Sequence, residues 1–298
     1  MKIEKWLAEN TESLAGKTVA VTGTTGGIGR ELCTYIASLG ASLVLMDRNA
    51  KRSEAFRDEL RASFPGISVE CINLELESMA SVKAALDALF AFEVYAFIHN
   101  AGAYFIPRHK CDSGYDNVFQ INFVSPYYMI RELLPRLEKV GGRAVVVGSI
   151  AHNYSKTDPS DIDFSTREKP SRVYGNAKRY LMFSLCKLFE TSRGARLAIT
   201  HPGITFTNIT AHYPKLIYAI IKHPMKVIFM KPRRAALSVL DGMFSSPDPT
   251  IPEWIGPRYF DVWGIPRTKC LRTASAEERE RIFNTAERIY AVLSERQG

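Results

Sequence analysis

The stretch "AVTGTTGGIGRELC", Ala20–Cys33, places four glycines within seven residues, between an apolar run and an amphipathic run. The run that ends in this stretch, "KTVAVTG", predicts a buried β-strand. The run that follows predicts a helix ending near Gly40, because its apolar residues recur at a spacing of 3.6. These residues are Ile28, Leu32, Ile36 and Leu39. A glycine-rich turn between strand and helix is either a tight turn alone or a floor for phosphate groups.

The glycines fit the pattern TGxxxGxG with Thr22, Gly23, Gly27 and Gly29. Gly23 permits a sharp exit from the strand, Gly27 allows the backbone to approach a pyrophosphate, and Gly29 allows the helix to pack close to the sheet. The helix N-terminus would direct free N–H groups and the positive end of its dipole at the phosphates. The pattern favours a dinucleotide-binding loop, with a purely structural turn as the alternative.

Strand-like and helix-like runs alternate from Lys17 to about Thr200. Such alternation predicts right-handed βαβ units and a parallel sheet covered on both faces. The fold class is therefore α/β, with a Rossmann-type doubly wound sheet. We expect a single domain over residues 1–298, with a core over about 15–210 and a substrate lid and C-terminal elements over about 211–298.

Asp47 lies at the end of the second predicted strand, 18 residues beyond Gly29. A carboxylate there accepts a hydrogen bond from the adenosine ribose and repels the extra phosphate of NADP. Arg48 follows directly and would instead attract that phosphate. The pair favours NAD and leaves NADP open, and a solvated loop carboxylate is the alternative reading of Asp47.

Composition is that of an ordinary soluble protein, with 46% hydrophobic and 23% charged residues. The five cysteines show no CxxC spacing, which favours a reducing compartment and argues against a zinc site. No apolar run is long enough for a signal peptide or membrane span, so we expect a cytoplasmic protein. Its net charge of +8 is spread along the chain, so a nucleic-acid partner is not expected.

Two further motifs carry chemistry: "YGNAK", Tyr174–Lys178, and "VVVGS", which ends in Ser149. With "TGTTGGIG" and "HNAG", His99–Gly102, they occur in an order that resembles the short-chain dehydrogenase/reductase family over about residues 15–210. The long gap between Ser149 and Tyr174 and the stretch "HPGITFTNI" resemble its retinol-dehydrogenase-like branch.

Tyr174 and Lys178 stand four residues apart and so project from one face of a helix. A nearby ammonium group and an oxidised nicotinamide both favour the phenolate and lower the tyrosine pKa. The resemblance implies that Tyr174 handles the proton, that Ser149 holds the substrate oxygen, that Lys178 also binds the nicotinamide ribose, and that Asn122 holds a water in the proton relay. The alternatives are a surface Tyr–Lys pair, a strand-end serine and an asparagine that bonds the backbone inside a helix.

The resemblance also implies a set of cofactor-binding positions. They are Gly23, Thr25, Gly27, Ile28, Gly29, Asp47, Arg48, Asn73, Leu74, Asn100, Ala101, Gly102, Tyr174, Lys178, Pro202, Gly203, Ile204 and Thr207. Two positions depart from the family pattern: His99 replaces an asparagine, and Asn73 replaces an aspartate near the adenine. We expect Asn73 to weaken binding of the cofactor without abolishing it.

The last third of the chain resembles the family least. The run Tyr213–Arg234 is apolar with interspersed cations, and it suits a lid over an apolar substrate, an amphipathic membrane contact or core packing. "RYFDVWG", Arg258–Gly264, predicts a final edge strand. "ASAEERERIFNTAERIYAVLSE" predicts a terminal helix with an apolar face that includes Val292. The histidines show no metal-ligand spacing.

These features predict an oxidoreductase that transfers a hydride between NAD(P) and an apolar alcohol or ketone of steroid, retinoid or lipid type. The alternative from another class is a catalytically silent dinucleotide-binding regulator or scaffold on the same fold. A polyanion-binding protein is a third alternative. The family resemblance implies a homo-oligomer.

Overall fold

The computed structural model describes residues 2–203, 230–245, 251–271 and 273–295. Its strands are β1 Thr18–Thr22, β2 Ser42–Asp47, β3 Val69–Asn73, β4 Val94–His99, β5 Arg143–Val147, β6 Arg196–Thr200, β7 Glu253–Tyr259 and β8 Trp263–Cys270. Its helices are α1 Ile3–Asn10, α2 Gly27–Ser38, α3 Ala50–Ser63, α4 Met79–Leu89, α5 Asn117–Phe119, α6 Ser125–Lys139, α7 Pro170–Phe189, α8 Pro232–Asp241 and α9 Ala276–Glu295. Two short turns complete the described elements, a π-helical turn at Gln120–Val124 and a 3₁₀ turn at Ile150–Tyr154.

The strands form one sheet in the order β3-β2-β1-β4-β5-β6-β7-β8. Neighbouring strands from β3 to β7 pair in parallel, and β8 pairs antiparallel with β7 at the edge. This arrangement confirms the predicted doubly wound α/β fold. The strand order reverses between β1 and β4, which is where open α/β sheets bind their ligands.

The core lies on both faces of the sheet, because successive residues of each strand point to opposite sides. In β1, Val19 and Val21 pack into the apolar cluster that includes residues of α2 and α8. Ala20, between them, packs into the other cluster, which includes residues of α6, α7 and α9. Burial on both faces explains why these strands read as continuous apolar runs in the sequence.

The helix after the glycine loop, α2, ends as its sequence predicts. Leu32 and Ile36 are fully buried, and Gly40 has a φ of +91° beyond the C-cap. A residue with a Cβ is strained in that left-handed conformation, so glycine suits the position. The amphipathic pattern and the terminating glycine together fix the length of α2 and hold its N-terminus at the end of β1.

In the C-terminal third, the sequence predicts an edge strand, a terminal helix and a lid-like run. "RYFDVWG" is not one strand: Arg258 and Tyr259 end β7, and Trp263 begins β8 after a tight turn. The terminal helix is present as α9, but Val292 is 47% exposed and does not belong to its buried face. Most of the run Tyr213–Arg234, with its lid, membrane and core alternatives, lies outside the described residues. In the part of the chain that the structure describes, no helix combines the length and apolar character needed to cross a membrane.

Candidate active site

A cleft of about 740 Å³ opens at the reversal of strand order, between the carboxyl ends of β1 and β4. Eleven of the predicted cofactor-binding residues line it: Gly23, Thr25, Gly27, Ile28, Gly29, Asp47, Arg48, Leu74, Asn100, Ala101 and Gly102. A cavity of several hundred Å³ is ordinary for a small-molecule or cofactor site. The glycine loop forms one wall of the cleft, and the loop after β4 forms another.

Close backbone packing explains the glycines at both ends of the loop. A Cβ on Gly29 would lie 2.1 Å from the carbonyl oxygen of Gly23, so only glycine lets α2 begin this close to β1. Gly23 has a φ of +72°, and a Cβ there would lie 2.8 Å from the Cα of Ala101. Gly26 is the N-cap of α2 and has no side-chain oxygen to satisfy the first N–H groups of the helix. Those groups face the cleft as an anion site.

Asp47 is held by the chain's own donors. One carboxylate oxygen accepts from the hydroxyl of Thr24 and from Ser53 Oγ at 3.1 Å. The other accepts from the backbone N–H of Thr25 at 3.2 Å and from its hydroxyl at 3.3 Å. A ribose hydroxyl would have to replace one of these donors, which differs from the role predicted from sequence. The carboxylate is 5% exposed and braces the glycine loop against β2 and α3.

The adenosine end of the cleft carries charges of both signs. Arg48 and Arg52 line it beside Asp47. Asn73 is exposed at the end of β3, and its amide nitrogen reaches the carbonyl oxygens of Asp47 (3.1 Å) and Arg48 (3.2 Å) in the orientation that satisfies both groups. Asn73 therefore supports the turn after β2. With Asp47 and Arg48 both lining the cleft, the charges here are compatible with NAD or NADP.

His99, the departure from the family pattern, is fully buried and neutral. Its Nδ1 lies 3.1 Å from Thr22 Oγ1, which also accepts from the backbone N–H groups of Asn100 and Ala101 at 3.1 Å each. Because that oxygen already accepts twice, it donates its proton to Nδ1, and the His99 proton is on Nε2. Burial, with the nearby charge of Lys178, holds the pKa of His99 well below its usual range. This arrangement fixes the loop after β4 against β1.

Asn122 sits in the π-helical turn, and its amide nitrogen donates to the carbonyl oxygens of Ala103 and Val118, at 2.8 Å each. Its Oδ1 is buried without a hydrogen-bond partner among the described residues. A Cβ on Gly102 would lie 2.9 Å from that oxygen and 3.6 Å from the Nζ of Lys178. Gly102 thus keeps open the space where Asn122 and Lys178 meet.

Ser149 and Tyr174 are brought together as the sequence predicts. Ser149 follows β5 and caps the 3₁₀ turn, its hydroxyl accepting from the N–H of Ala151 at 3.2 Å. Burial raises the pKa of Tyr174 to about 12, although the nearby Ser149 hydroxyl acts in the opposite direction. The phenol therefore keeps its proton at neutral pH in the absence of a ligand.

Lys178 lies one turn along α7 from Tyr174 and is 1% exposed. Its Nζ donates to the carbonyl oxygen of Val147 at 2.8 Å and stands 5.7 Å from the centre of the Tyr174 ring. Burial lowers the pKa of Lys178 to about 7. Strongly shifted pKa values on neighbouring side chains are typical of groups that handle protons.

The sequence analysis did not predict two contacts in this site. A Cβ on Gly175 would lie 2.2 Å from the carbonyl oxygen of Ala151, so this glycine lets α7 touch the 3₁₀ turn that holds Ser149. The Nδ1–H of His152 donates to the carbonyl oxygen of Ser149 at 2.6 Å. The signal for Gly175 was its place inside "YGNAK", since a glycine within a helix usually marks a close approach.

Apolar and aromatic side chains surround Tyr174. The ring of Tyr104 meets it edge to face at 5.2 Å between centroids. Ile106 and Tyr174 pack against the buried cluster of Val118, Phe164 and Val173. A substrate oxygen at the phenol would therefore have apolar walls around it.

Comparison with known proteins agrees with this geometry. A sequence profile for short chain dehydrogenases matches residues 17–158. The dehydrogenase/reductase SDR family member FEY of Arabidopsis thaliana is 28% identical over 290 residues, covering 92% of this chain and 76% of that protein. Both matches are to the short-chain dehydrogenase/reductase family.

Two other proteins are similar to this chain. Retinol dehydrogenase 12 of Mus musculus is 28% identical over 202 residues, covering 66% of this chain and 64% of that protein. The solved structure of a short-chain dehydrogenase from Sphingobium yanoikuyae in complex with NADPH superposes with a TM-score of 0.59 and 22% identity, covering 76% of this chain and 84% of the other. The match to that structure supports the Rossmann fold.

Similarity to the short-chain dehydrogenase/reductase family supports the predictions of an NAD(P)-dependent oxidoreductase and of NAD or NADP as cofactor. The residues present fit such a dinucleotide. The uncapped N-terminus of α2 would hold the pyrophosphate, and the unpartnered Oδ1 of Asn122 stands where Gly102 leaves room beside Lys178. Pro202 and Gly203 follow β6, and Gly203 has a φ of +81°. Ile204 and Thr207 lie outside the described residues.

Proposed function

We propose that this short-chain dehydrogenase/reductase catalyses hydride transfer between NAD(P) and an apolar alcohol or ketone, as in the retinol-dehydrogenase-like branch. The observation that carries the proposal is the phenol of Tyr174, close to the Ser149 hydroxyl and one helical turn from the buried amine of Lys178. The four proposed catalytic residues are Asn122, Ser149, Tyr174 and Lys178.

The nicotinamide ring, when bound, accepts or supplies the hydride. The chain's own residues manage the oxygen of the substrate and its proton. The Ser149 hydroxyl, aimed at the Tyr174 phenol, holds the substrate oxygen at that phenol. In reduction the phenol gives its proton to the developing alkoxide, and in oxidation it takes the proton of the alcohol. General acid–base catalysis of this kind is worth roughly 10²–10⁴-fold in rate.

The neighbours of Tyr174 supply and receive the proton. Lys178 is anchored to the carbonyl oxygen of Val147, which fixes its amine near Gly102 and near Asn122. The buried Oδ1 of Asn122 accepts a hydrogen bond from a water that links this pair to the outside, as the family resemblance implies. Because the phenol is protonated at neutral pH in the ligand-free state, this state is ready to donate to a ketone.

The apolar surroundings of Tyr174 support an apolar substrate. Tyr104, Ile106 and Phe164 lie around the phenol, and Phe105 next to them is 46% exposed. Similarity to retinol dehydrogenase 12 points the same way. The predicted lid, the single-domain organisation, the homo-oligomer and the cytoplasmic location stay predictions.

A silent dinucleotide-binding scaffold has less support. Burying a lysine lowers its pKa because the charged form loses hydration, which destabilises the folded protein. A protein that only held the cofactor could still use Lys178 to bind the ribose, but it would have no use for the phenol of Tyr174 beside Ser149.

The test begins with the fluorescence of bound NADH and NADPH and continues with a panel of apolar alcohols and ketones. We expect both binding and turnover, with apolar members used far better than short polar ones. Tight cofactor binding with no turnover of any member of the panel would support the scaffold instead. Equal turnover of short polar and long apolar substrates would contradict the proposed substrate class.

A further inference from the structure

The hairpin between β7 and β8 ends in an exposed aromatic tip, which we define as Arg258–Trp263. Phe260 is 90% exposed, Tyr259 is 58% exposed and Trp263 is 44% exposed. Tyr259 and Trp263 face each other across the turn as a register pair. Large aromatic side chains clustered on one convex surface mark an interaction site more often than isolated exposed residues do.

The residue types at the tip do not favour the backbone conformation that the tip adopts. Val262 N donates to Tyr259 O at 3.0 Å, and the two residues between them, Phe260 and Asp261, have φ values of +54° and +56°. Two left-handed residues in a two-residue turn call for Asn–Gly or Asp–Gly. Phenylalanine is disfavoured there and gains no burial in return. Neither the backbone conformation nor burial favours phenylalanine at position 260. We therefore attribute its exposed ring to an interaction with another molecule.

The tip carries one charge of each sign, Arg258 and Asp261, and further basic residues lie along the hairpin. Asp261 is paired with Lys269, whose Nζ lies 2.6 Å from its carboxylate. Arg258 and Arg267 are exposed on the same hairpin, and the Arg258 guanidinium stands 5.7 Å from the centre of the Tyr259 ring. Aromatic side chains flanked by arginines are typical of surfaces that enter the headgroup region of an anionic bilayer.

The area of the tip distinguishes a bilayer from a protein partner. Three partly exposed aromatic side chains offer on the order of 300 Å² of apolar surface. A stable protein interface buries roughly 800 Å² on each partner. A few inserted side chains with adjacent cations are sufficient for reversible attachment to lipid.

Pro257 and the tip residue Val262 both pack against Gly203, which follows β6. A Cβ on Gly203 would lie 2.8 Å from the carbonyl oxygen of Val262 and 2.9 Å from Cγ of Pro257. Gly203 follows β6 in the loop predicted to brace the nicotinamide. The hairpin therefore lies on the side of the molecule where the chain leaves the carboxyl end of β6.

We propose that the tip inserts into the interface of an anionic phospholipid bilayer. Phe260 enters the acyl boundary, Tyr259 and Trp263 lie at headgroup depth, and Arg258 and Arg267 contact lipid phosphates. Uptake of an apolar substrate from that bilayer rests on the proposed function, whereas the membrane contact does not.

Vesicle binding of the full chain tests the proposal, with Trp263 as the reporter. The other two tryptophans, Trp6 and Trp254, are 3% and 5% exposed, so a change in intrinsic emission reports Trp263. We expect its emission to move to shorter wavelength with phosphatidylcholine vesicles containing a third phosphatidylserine, and much less with phosphatidylcholine alone. Added salt should weaken binding. A Trp263→Phe protein should co-sediment with the vesicles but show no shift.

The decisive variant is Phe260→Asn, because asparagine tolerates the left-handed turn and the protein should fold at least as stably. We expect its affinity for the anionic vesicles to fall at least tenfold. Val292→Asn, which removes an exposed apolar side chain from α9, is the control and should bind as the parent does.

Three results would overturn the proposal. They are no binding to either vesicle, binding that Phe260→Asn leaves unchanged, or a dimer in sedimentation velocity that Phe260→Asn dissociates, which would make a second copy the occupant. Turnover of a water-soluble substrate should be the same in Phe260→Asn and in the parent. Loss of vesicle binding is thereby separated from failure of the proposed function.

Discussion

At the scale of single residues, the chemistry depends on how burial changes two titrating side chains. Lys178 has a pKa of about 7 and Tyr174 a pKa of about 12, against ordinary values of 10.5 and 10.0. Both shifts arise because burial disfavours the charged form, which is the ammonium for lysine and the phenolate for tyrosine. A ligand that brings charge into the cleft will change both.

The buried amine makes stability depend on pH in a predictable direction. The unfolded chain keeps the Lys178 proton up to about pH 10.5, whereas the folded chain loses it near pH 7. Between these values the unfolded state binds more protons, so the free energy of unfolding rises with pH by up to about 1.4 kcal/mol per pH unit. Lys178→Met lacks this contribution.

Urea unfolding of the parent and Lys178→Met without cofactor, from about pH 7 to about pH 9.5, measures the difference. We expect the free energy of unfolding of the parent to increase relative to that of the variant as pH rises. Two curves that run parallel over this range would show that Lys178 is not buried as described.

Asp47 offers a second prediction at this scale. Its carboxylate braces the glycine loop through Thr24, Thr25 and Ser53, so Asp47→Asn should lower stability by about 1–3 kcal/mol. The affinities for NADH and NADPH should fall by similar factors, because the loop holds the part that both cofactors share. Asp58→Asn, at an exposed carboxylate on α3, is the control. A loss of NADH affinity with a gain for NADPH would instead show direct contact with the ribose.

At the scale of elements, the site is assembled where α7 touches the 3₁₀ turn after β5. Gly175 allows this contact, and the Ser155 hydroxyl adds a hydrogen bond to the carbonyl oxygen of Arg172 at 2.6 Å. The contact sets the position of Ser149 relative to Tyr174. The spacing in "YGNAK" predicts that Tyr174 and Lys178 share a face, but nothing local predicts which surface that face meets.

Gly175→Ala tests this contact. The added Cβ would lie 2.2 Å from the carbonyl oxygen of Ala151, so α7 and the turn must separate. Overpacking of this kind costs about 1–3 kcal/mol in stability, and a displacement near 1 Å at reacting groups costs on the order of 10²-fold in rate. We expect kcat to fall by about that factor while NADH affinity changes little.

Gly66→Ala is the matched control for Gly175→Ala. A Cβ at Gly66 meets nothing within 4 Å, so this variant should behave as the parent does in both unfolding and turnover. Unchanged kcat in Gly175→Ala would show that the position of the turn does not matter for the chemistry.

At the scale of the whole molecule, a buried ion pair joins the catalytic helix to the C-terminal helix. Arg179 on α7 is 2% exposed and binds both carboxylate oxygens of Glu278 on α9, at 2.8 Å and 2.7 Å. Its guanidinium also donates to the carbonyl oxygen of His152, at 3.3 Å. The pair therefore connects α9 to the turn that carries Ser149.

Removal of one partner of this pair should be costly. Glu278→Ala leaves the Arg179 charge buried, which typically destabilises a protein by about 3–5 kcal/mol. Glu280→Ala, two residues along α9, breaks only an exposed contact with Lys187 and should cost under about 1 kcal/mol. Chemical unfolding of the three proteins measures the comparison. Equal, small losses for both variants would mean that Arg179 finds water or another partner when Glu278 is gone.

The features that could be predicted from the sequence are those determined by residues close together in the chain. The strands, the end of α2 at Gly40 and the loop glycines follow from spacing within a few residues. The partners of Asp47 come from two different elements, and the carbonyl that faces Gly175 belongs to a distant turn. The hairpin turn at Phe260 was misread as strand because its residues lack the Asn–Gly chemistry that marks such a turn. The first two features depend on contacts between distant parts of the chain. The turn at Phe260 has a conformation that its residues do not favour.

The kinetics of Tyr174→Phe test the central claim most directly, because this variant removes only the phenolic oxygen. With an active apolar substrate we expect kcat to fall by at least about 100-fold, while the affinity for NADH stays within about twofold. Tyr180→Phe removes the same atom from a buried tyrosine on the same helix and should retain full turnover. Near-normal kcat in Tyr174→Phe would contradict the proposed role of the phenol.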